Sequence, residues 1–221
     1  MELRILTAAD IRAALPMRAA IDAVAKAFGQ FSAGTATVPL RTRLHTDKGV
    51  SLLMPAYLGD SGDMAVKIVS VYGDNPKLGL PTVSALVQVL DSQTGMPKAL
   101  LEGDTLTALR TGAGGGLSAD LLARKDARRV ALFGAGVQSR SQLEAVMAVR
   151  QIERVDLIDL NPDAARRLAD EIGTWPGAPE VSVTTDAAAA VRLADIVAAA
   201  TTSRTPLFDG RDLRPGTHVT G

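Results

Sequence analysis

The spacing of apolar residues changes character along the chain, and the changes mark out its elements. From residue 7 to residue 33, Ile11, Leu15, Ile21, Val24, Ala25 and Phe28 fall near a 3.6-residue repeat. That spacing predicts a helical segment capped by Thr7, interrupted at Pro16 and ended by Gly34. Between Val38 and Asp91 the texture becomes short β-type runs divided by turn residues, with SLLMPAYL, MAVKIVSVY and TVSALVQVLD as the strongest strands. A second long helix is expected from Asp104, whose carboxylate can cap free amides, through Leu106, Leu109, Ala113, Leu117 and Leu121. Glycines 112, 114, 115 and 116 lie within it, each costing up to about 1 kcal/mol relative to alanine. Either a neighbour packs very closely there or the helix breaks.

Beyond the charged stretch ARKDARR, strand and helix alternate regularly: RVALFG, a helix over 137–150, RVDLIDL, a helix over 162–172, VSVTT, a short alanine-rich helix and DIVAAAT. This order predicts a parallel sheet with helices on both faces. A further run, THVT, stops at the last residues, so the expected sheet is incomplete at its C-terminal end. Trp175, in TWPGAP, is expected to pack within a loop.

Composition narrows the chemistry. With 221 residues, 47% hydrophobic and 22% charged, the chain has the make-up of a folded globular protein. Twenty-four Lys plus Arg balance twenty-four Asp plus Glu, leaving no net field to draw nucleic acid or an anionic membrane. The absence of cysteine removes disulfides, thiolate nucleophiles and cysteine-held metal, and with two histidines no metal site is expected. The start, MELRILTAADIR, shows no cationic leader, and no run of about 18 apolar residues follows, so a cytoplasmic location is expected.

Gly134-Ala135-Gly136-Val137-Gln138-Ser139 follows an apolar strand and opens a helix, the setting a dinucleotide fingerprint requires. Gly134 permits the tight turn, Gly136 lets the main chain approach a diphosphate, and the free amides of the helix start face that anion. Ser139 replaces the third glycine and is small enough for helix and strand to approach. Asp159 follows Gly134 by 25 residues at the end of the next strand, where a carboxylate can accept from ribose hydroxyls. It would repel a 2′-phosphate, and no arginine follows at 160 or 161, so NAD is favoured, with NADP as the alternative. Thr201-Thr202-Ser203 ends the fourth strand at the same edge. The fold class is therefore α/β: an N-terminal α+β domain over 1–125 and a Rossmann-type dinucleotide-binding domain over 126–221.

Cations embedded in the first half are the substrate candidates. Lys67 shares a strand face with Ala65, Val69 and Val71 and is either a desolvated functional ammonium or an edge residue reaching for water. Arg41 and Arg43 are two apart and would share one strand face. A guanidinium there can grip a carboxylate through two parallel hydrogen bonds, although a solvated basic face explains the pair as well. Arg110, among small residues on the predicted helix, can reach phosphate or carboxylate or simply lie at the surface. His45 and His218 have no carboxylate partner at useful spacing and receive no role.

Together these segments resemble the ornithine cyclodeaminase and mu-crystallin family of NAD(P)-dependent enzymes. The resemblance runs along the whole chain through PLR (39–41), LLMPAY (52–57), VK (66–67), LPTVSA (80–85), LTALRTGA (106–113), LFGAGVQS (132–139) and DIVAAATTS (195–203). It implies that Arg41 and Lys67 hold a substrate carboxylate, with Arg43 an alternative to Arg41, and that Arg110 lies between cofactor and substrate. It also implies that Thr82, Val137, Gln138, Asp159 and Thr201 contact the cofactor. The implied reaction moves hydride between nicotinamide and the α-carbon of a small amino or imino acid, with ornithine cyclisation to proline first. Ketimine or pyrroline-2-carboxylate reduction and alanine dehydrogenation are the alternatives, and a mu-crystallin-like nucleotide-binding protein is the non-enzymatic one. Relatives form homodimers through the first domain. They also continue past GTHVTG into a loop bearing the proton-exchanging aspartate, so that group is expected beyond Gly221, and the chain is read as a fragment.

Overall fold

The computed structural model describes residues 2–221. It divides into two compact units, Met1–Pro16 with Ala23–Thr107, and Met17–Asp22 with Ala108–Gly221. Each is described by itself.

In the first unit, β1 (Arg4–Leu6) leads into α1 (Ala8–Ala14), whose start is fixed by a reciprocal pair: the Asp10 amide donates to the Thr7 hydroxyl, and Asp10 accepts from the Thr7 amide. Pro16 separates α1 from α2 (Met17–Ser32), so the expected helical segment is two helices; residues 17–22 of α2 belong to the second unit and the rest to the first. Strands β2 (Ala36–Thr37), β3 (Thr42–His45), β4 (Val50–Leu58), β5 (Asp63–Val71), β6 (Val83–Asp91) and β7 (Pro97–Glu102) join β1 in one sheet. Its order is β1-β7-β6-β5-β4-β2, with β3 also paired to β4. All its pairs are antiparallel except β1 with β7. The β6–β7 turn is held by Asp91, whose Oδ1 accepts from the amides of Gln93 and Thr94.

Helix α3 (Gly103–Leu122) begins in the first unit and continues into the second. Its expected cap is corrected: Glu102, not Asp104, accepts from the amides of Asp104 (2.6 Å) and Thr105 (3.0 Å). The helix starts one residue earlier than the pattern suggested, which moves the capping position onto the last residue of β7. The glycine-rich stretch stays helical, and the reason lies on α4 (Val137–Met147). A Cβ on Gly112 would overlap the Ser141 carbonyl, and one on Gly116 would lie 2.8 Å from Ala145 Cβ. Leu121, expected on the apolar stripe, is exposed.

The second unit's sheet contains β8 (Arg129–Phe133), β9 (Arg154–Ile158), β10 (Glu180–Val183), β11 (Ile196–Ala199) and β12 (His218–Thr220). All are parallel, in the order β10-β9-β8-β11-β12. Alternate side chains of β8 enter different cores, as a strand covered on both faces requires. Val130 and Leu132 pack with α3, α4 and α5 (Pro162–Ile172), while Ala131 and Phe133 pack with α6 (Ala187–Leu193). Trp175 sits in the loop after α5, against the first of these cores. Among the described residues, no helix is long and apolar enough to cross a membrane.

Candidate functional site

Sheet order places a crevice where the connections from β8 run one way and those to β11 the other, the position at which open α/β sheets bind ligands. A cavity of about 640 Å³ lies at these strand ends, lined among others by Gly134, Gly136, Asp159 and Thr201. Gly134 has φ +100°, a conformation that side chains disfavour, and a Cβ there would lie 2.5 Å from the Ala200 carbonyl oxygen. Gly136 is the N-cap of α4, makes no side-chain capping bond, and faces open space where its Cβ would stand. The helix therefore presents its uncapped, positive end to the cavity, as an anion site requires.

Asp159 ties this loop down. The Ala135 amide donates to Oδ2 at 2.7 Å and the Asn161 amide to Oδ1 at 2.7 Å. Each carboxylate oxygen still has a lone pair to offer hydroxyl groups. Leu160 projects fully exposed beside Asp159 at the cavity wall, and Leu207 faces the same space, giving an apolar slot suited to a base ring. Open amides, an acidic strand end and an apolar slot together fit a dinucleotide. Val137 is exposed on the first turn of α4, while Gln138 buries an Oε1 that has no partner among the described residues. Ser139 is fully buried, as expected of a small residue at the third glycine position, with its hydroxyl also unpartnered.

The cations of the first half occupy different settings. Lys67 is half-buried on β5, and its Nζ donates to Thr107 Oγ1 at 2.9 Å. Thr107 gives its own proton to the Gly103 carbonyl (2.6 Å), so its hydroxyl turns a lone pair to the ammonium. Thr107 is a residue that sequence reasoning missed; the signal available was its place in LTALRT, one helical turn before Arg110. Near this pair, burial and then the Glu102 charge raise the Asp104 carboxyl, against an Ala85 amide bond and the Lys67 charge.

The expectation that Arg41 and Arg43 share a strand face is corrected. Strand β3 begins at Thr42, leaving Arg41 exposed just outside it. Arg43 pairs with Leu52 and through it with Val69, two residues from Lys67 and so on the same sheet face. Thr82 is exposed just before β6, where its carbonyl accepts from the Tyr72 amide. In the second unit, Arg110 is exposed on α3, and partial desolvation lowers its guanidinium from the ordinary value. A partly desolvated cation of this kind is suited to an incoming anion. Among the described residues, no group of three metal-ligating side chains comes together.

The model of the ornithine cyclodeaminase/mu-crystallin family matches residues 1–221. The Δ1-pyrroline-2-carboxylate reductase of Bacillus cereus is 35% identical over 217 residues, covering 97% of this chain and 66% of that protein. The structure of Thermococcus litoralis Δ1-pyrroline-2-carboxylate reductase in complex with NADH and L-proline superposes with a TM-score of 0.90 at 41% identity, covering 98% of this chain and 67% of that one. An archaeal alanine dehydrogenase dimer with bound NAD gives a TM-score of 0.91 at 35% identity, covering 99% and 67%. The chain thus spans about two thirds of the length of these relatives. Matched from end to end by the family model and by such relatives along almost all of its residues, the chain belongs to the ornithine cyclodeaminase/mu-crystallin family.

Proposed function

We propose that this chain serves a nicotinamide-dependent reductase of small α-imino acids, with Δ1-pyrroline-2-carboxylate as the first substrate to try. The observation that carries this is the uncapped start of α4 beside Asp159, in a chain 41% identical to a reductase solved with NADH and L-proline. Ornithine cyclisation, which the motifs alone put first, takes second place because a reductase and an alanine dehydrogenase match nearly the whole chain at 41% and 35% identity, against 26% for a probable ornithine cyclodeaminase over the same span.

The amides at the mouth of α4 would hold the diphosphate of NAD, and Asp159 would accept from the adenosine ribose hydroxyls. The same carboxylate would repel the extra phosphate of NADP. When bound, the reduced nicotinamide supplies the hydride. Lys67 and Arg41 would hold the substrate carboxylate, with Arg43 the substitute for Arg41, and Thr107 fixes the direction of the Lys67 ammonium. Arg110 would add a third cation for carboxylate or phosphate. Thr82, Val137, Gln138 and Thr201 complete the proposed cofactor contacts.

A second copy of the chain is the proposed partner. Leu53, Ile68 and Leu86 lie in one row across β4, β5 and β6, and all three are exposed. Leu44 on β3 shares their face, two residues from Thr42, which pairs with Leu53. A contiguous apolar face of this kind is suited to burial against its own copy.

The deciding measurement supplies NADH with Δ1-pyrroline-2-carboxylate, and separately NAD with ornithine. NADH consumption in the first supports reduction. Proline from ornithine without net NADH would replace reduction by cyclisation. NADH binding without turnover of either compound would favour the non-enzymatic, nucleotide-holding reading.

A further inference from the structure

Gly136 has no side chain and open space where a Cβ would stand, yet its carbonyl is held from outside the loop. Arg140, one turn along α4, donates from Nη1 to the Gly136 oxygen at 3.1 Å. The same guanidinium donates from Nε to both oxygens of Glu171 at 2.8 Å, and its Nη2 lies 2.7 Å from Glu171 Oε2. Glu171 belongs to the last turn of α5, a separate helix packed on the same core. One planar group therefore joins the phosphate loop to α5.

The consequence follows from peptide geometry. The peptide joining Gly136 to Val137 is planar and trans, so its carbonyl and its N–H point in opposite directions. Fixing the Gly136 oxygen along the helix aims the Val137 N–H outward, towards the mouth of α4. Without a Cβ, and with open space around it, Gly136 would otherwise let that peptide rotate. A cation near a helix N-terminus is itself unfavourable, and the Glu171 carboxylate offsets it.

We propose that Arg140 and Glu171 form a positioning pair that pre-aims the Val137 amide for a diphosphate. They act through the backbone and do not touch the ligand. The proposal rests on the dinucleotide reading of the cleft and deepens it, since orientation set before binding lowers the cost of binding.

Adenosine and ADP separate the possibilities, because only ADP carries the diphosphate. Their affinities would be measured by calorimetry for the wild-type chain, R140Q, R140K and E171Q. The expected result is that all three variants lose about fivefold or more in ADP affinity, the worth of roughly one hydrogen bond. Adenosine affinity should stay within about twofold, which also reports that the cleft remains folded. R140K should not restore ADP binding, because a single ammonium cannot span both Glu171 and the Gly136 carbonyl. Two results would overturn the proposal: unchanged ADP binding in E171Q, or tighter ADP binding in E171Q with weaker binding in R140Q. The second pattern would mean that Arg140 meets the phosphate directly. A wild-type chain that bound neither compound would instead remove the dinucleotide reading, and the positioning pair with it.

Discussion

Gly112 on α3 lies against the main chain of Ser141 on α4: a methyl group at position 112 would overlap the Ser141 carbonyl and come within 2.8 Å of its Cβ. One turn later Gly116 meets Ala145 in the same way. Two glycines four apart thus let the helices touch backbone to backbone, and this contact seats α4 and the loop that opens it.

Alanine at position 112 should therefore destabilise the protein by about 2 kcal/mol, in the usual range for overpacking a site that cannot yield. Alanine at position 114 should do the reverse, gaining up to about 1 kcal/mol, since nothing lies within 4 Å of its Cβ and the helix favours alanine. Urea denaturation of the two variants tests the pair. Equal effects would mean that composition rather than the close crossing governs this helix.

Local features were legible in the sequence and distant pairings were not. The Thr7 cap, the break at Pro16, and the loop of Gly134, Gly136 and Asp159 each depend on neighbours in sequence or on one strand–helix unit, so residue type and spacing revealed them. The Lys67–Thr107 bond joins residues forty positions apart, and Arg140 meets Glu171 across thirty-one. No periodicity encodes such pairs. The choice between Glu102 and Asp104 as cap turned on where β7 ends, which depends on its pairing with β6. The glycine-rich stretch could be read as close packing or as a break, and only the position of α4 decides between them.

Lys67 gives the clearest functional test. Replacing it with methionine keeps an unbranched stem one atom shorter and removes the ammonium. NADH affinity should stay within about twofold, while kcat/KM for the imino acid falls on the order of 100-fold, the worth of a charge-assisted carboxylate bond. Thr107→Val should lose less, and Thr107→Ser should stay near wild type because it keeps the hydroxyl. Steady-state kinetics beside NADH fluorescence titration would show this, and normal turnover in K67M would remove Lys67 from the site.

His218 should impose a pH dependence on stability. Its Nε2 lies 3.2 Å from Ser118 Oγ, and burial first, then the Arg150 charge, hold its pKa below the ordinary 6.5. Above that ordinary value the ring is neutral in both folded and unfolded chains and has no effect. As pH falls through it, the unfolded chain takes up a proton that the folded chain resists, so stability declines until the folded ring also titrates. Thermal midpoints between about pH 7.5 and 5.5 should drop in the wild type and stay flatter in H218Q. Identical slopes would assign the effect to carboxylates instead.

The exposed row on the first sheet yields the last test. Leu44, at 61% exposure, and Ile68, at 40%, share a face with Leu53 and Leu86, whereas Lys67 and Val69 point to the opposite face. A glutamate at Ile68 should therefore disrupt self-association without entering the Lys67 face. Burying one unpaired carboxylate in an apolar interface costs several kcal/mol on each side of a two-fold contact, enough to shift a micromolar dimer to monomer. Sedimentation velocity should show the wild type as a dimer and I68E as a monomer with unchanged circular dichroism. A wild-type chain that sediments as a monomer at every concentration would mean that this face has another role.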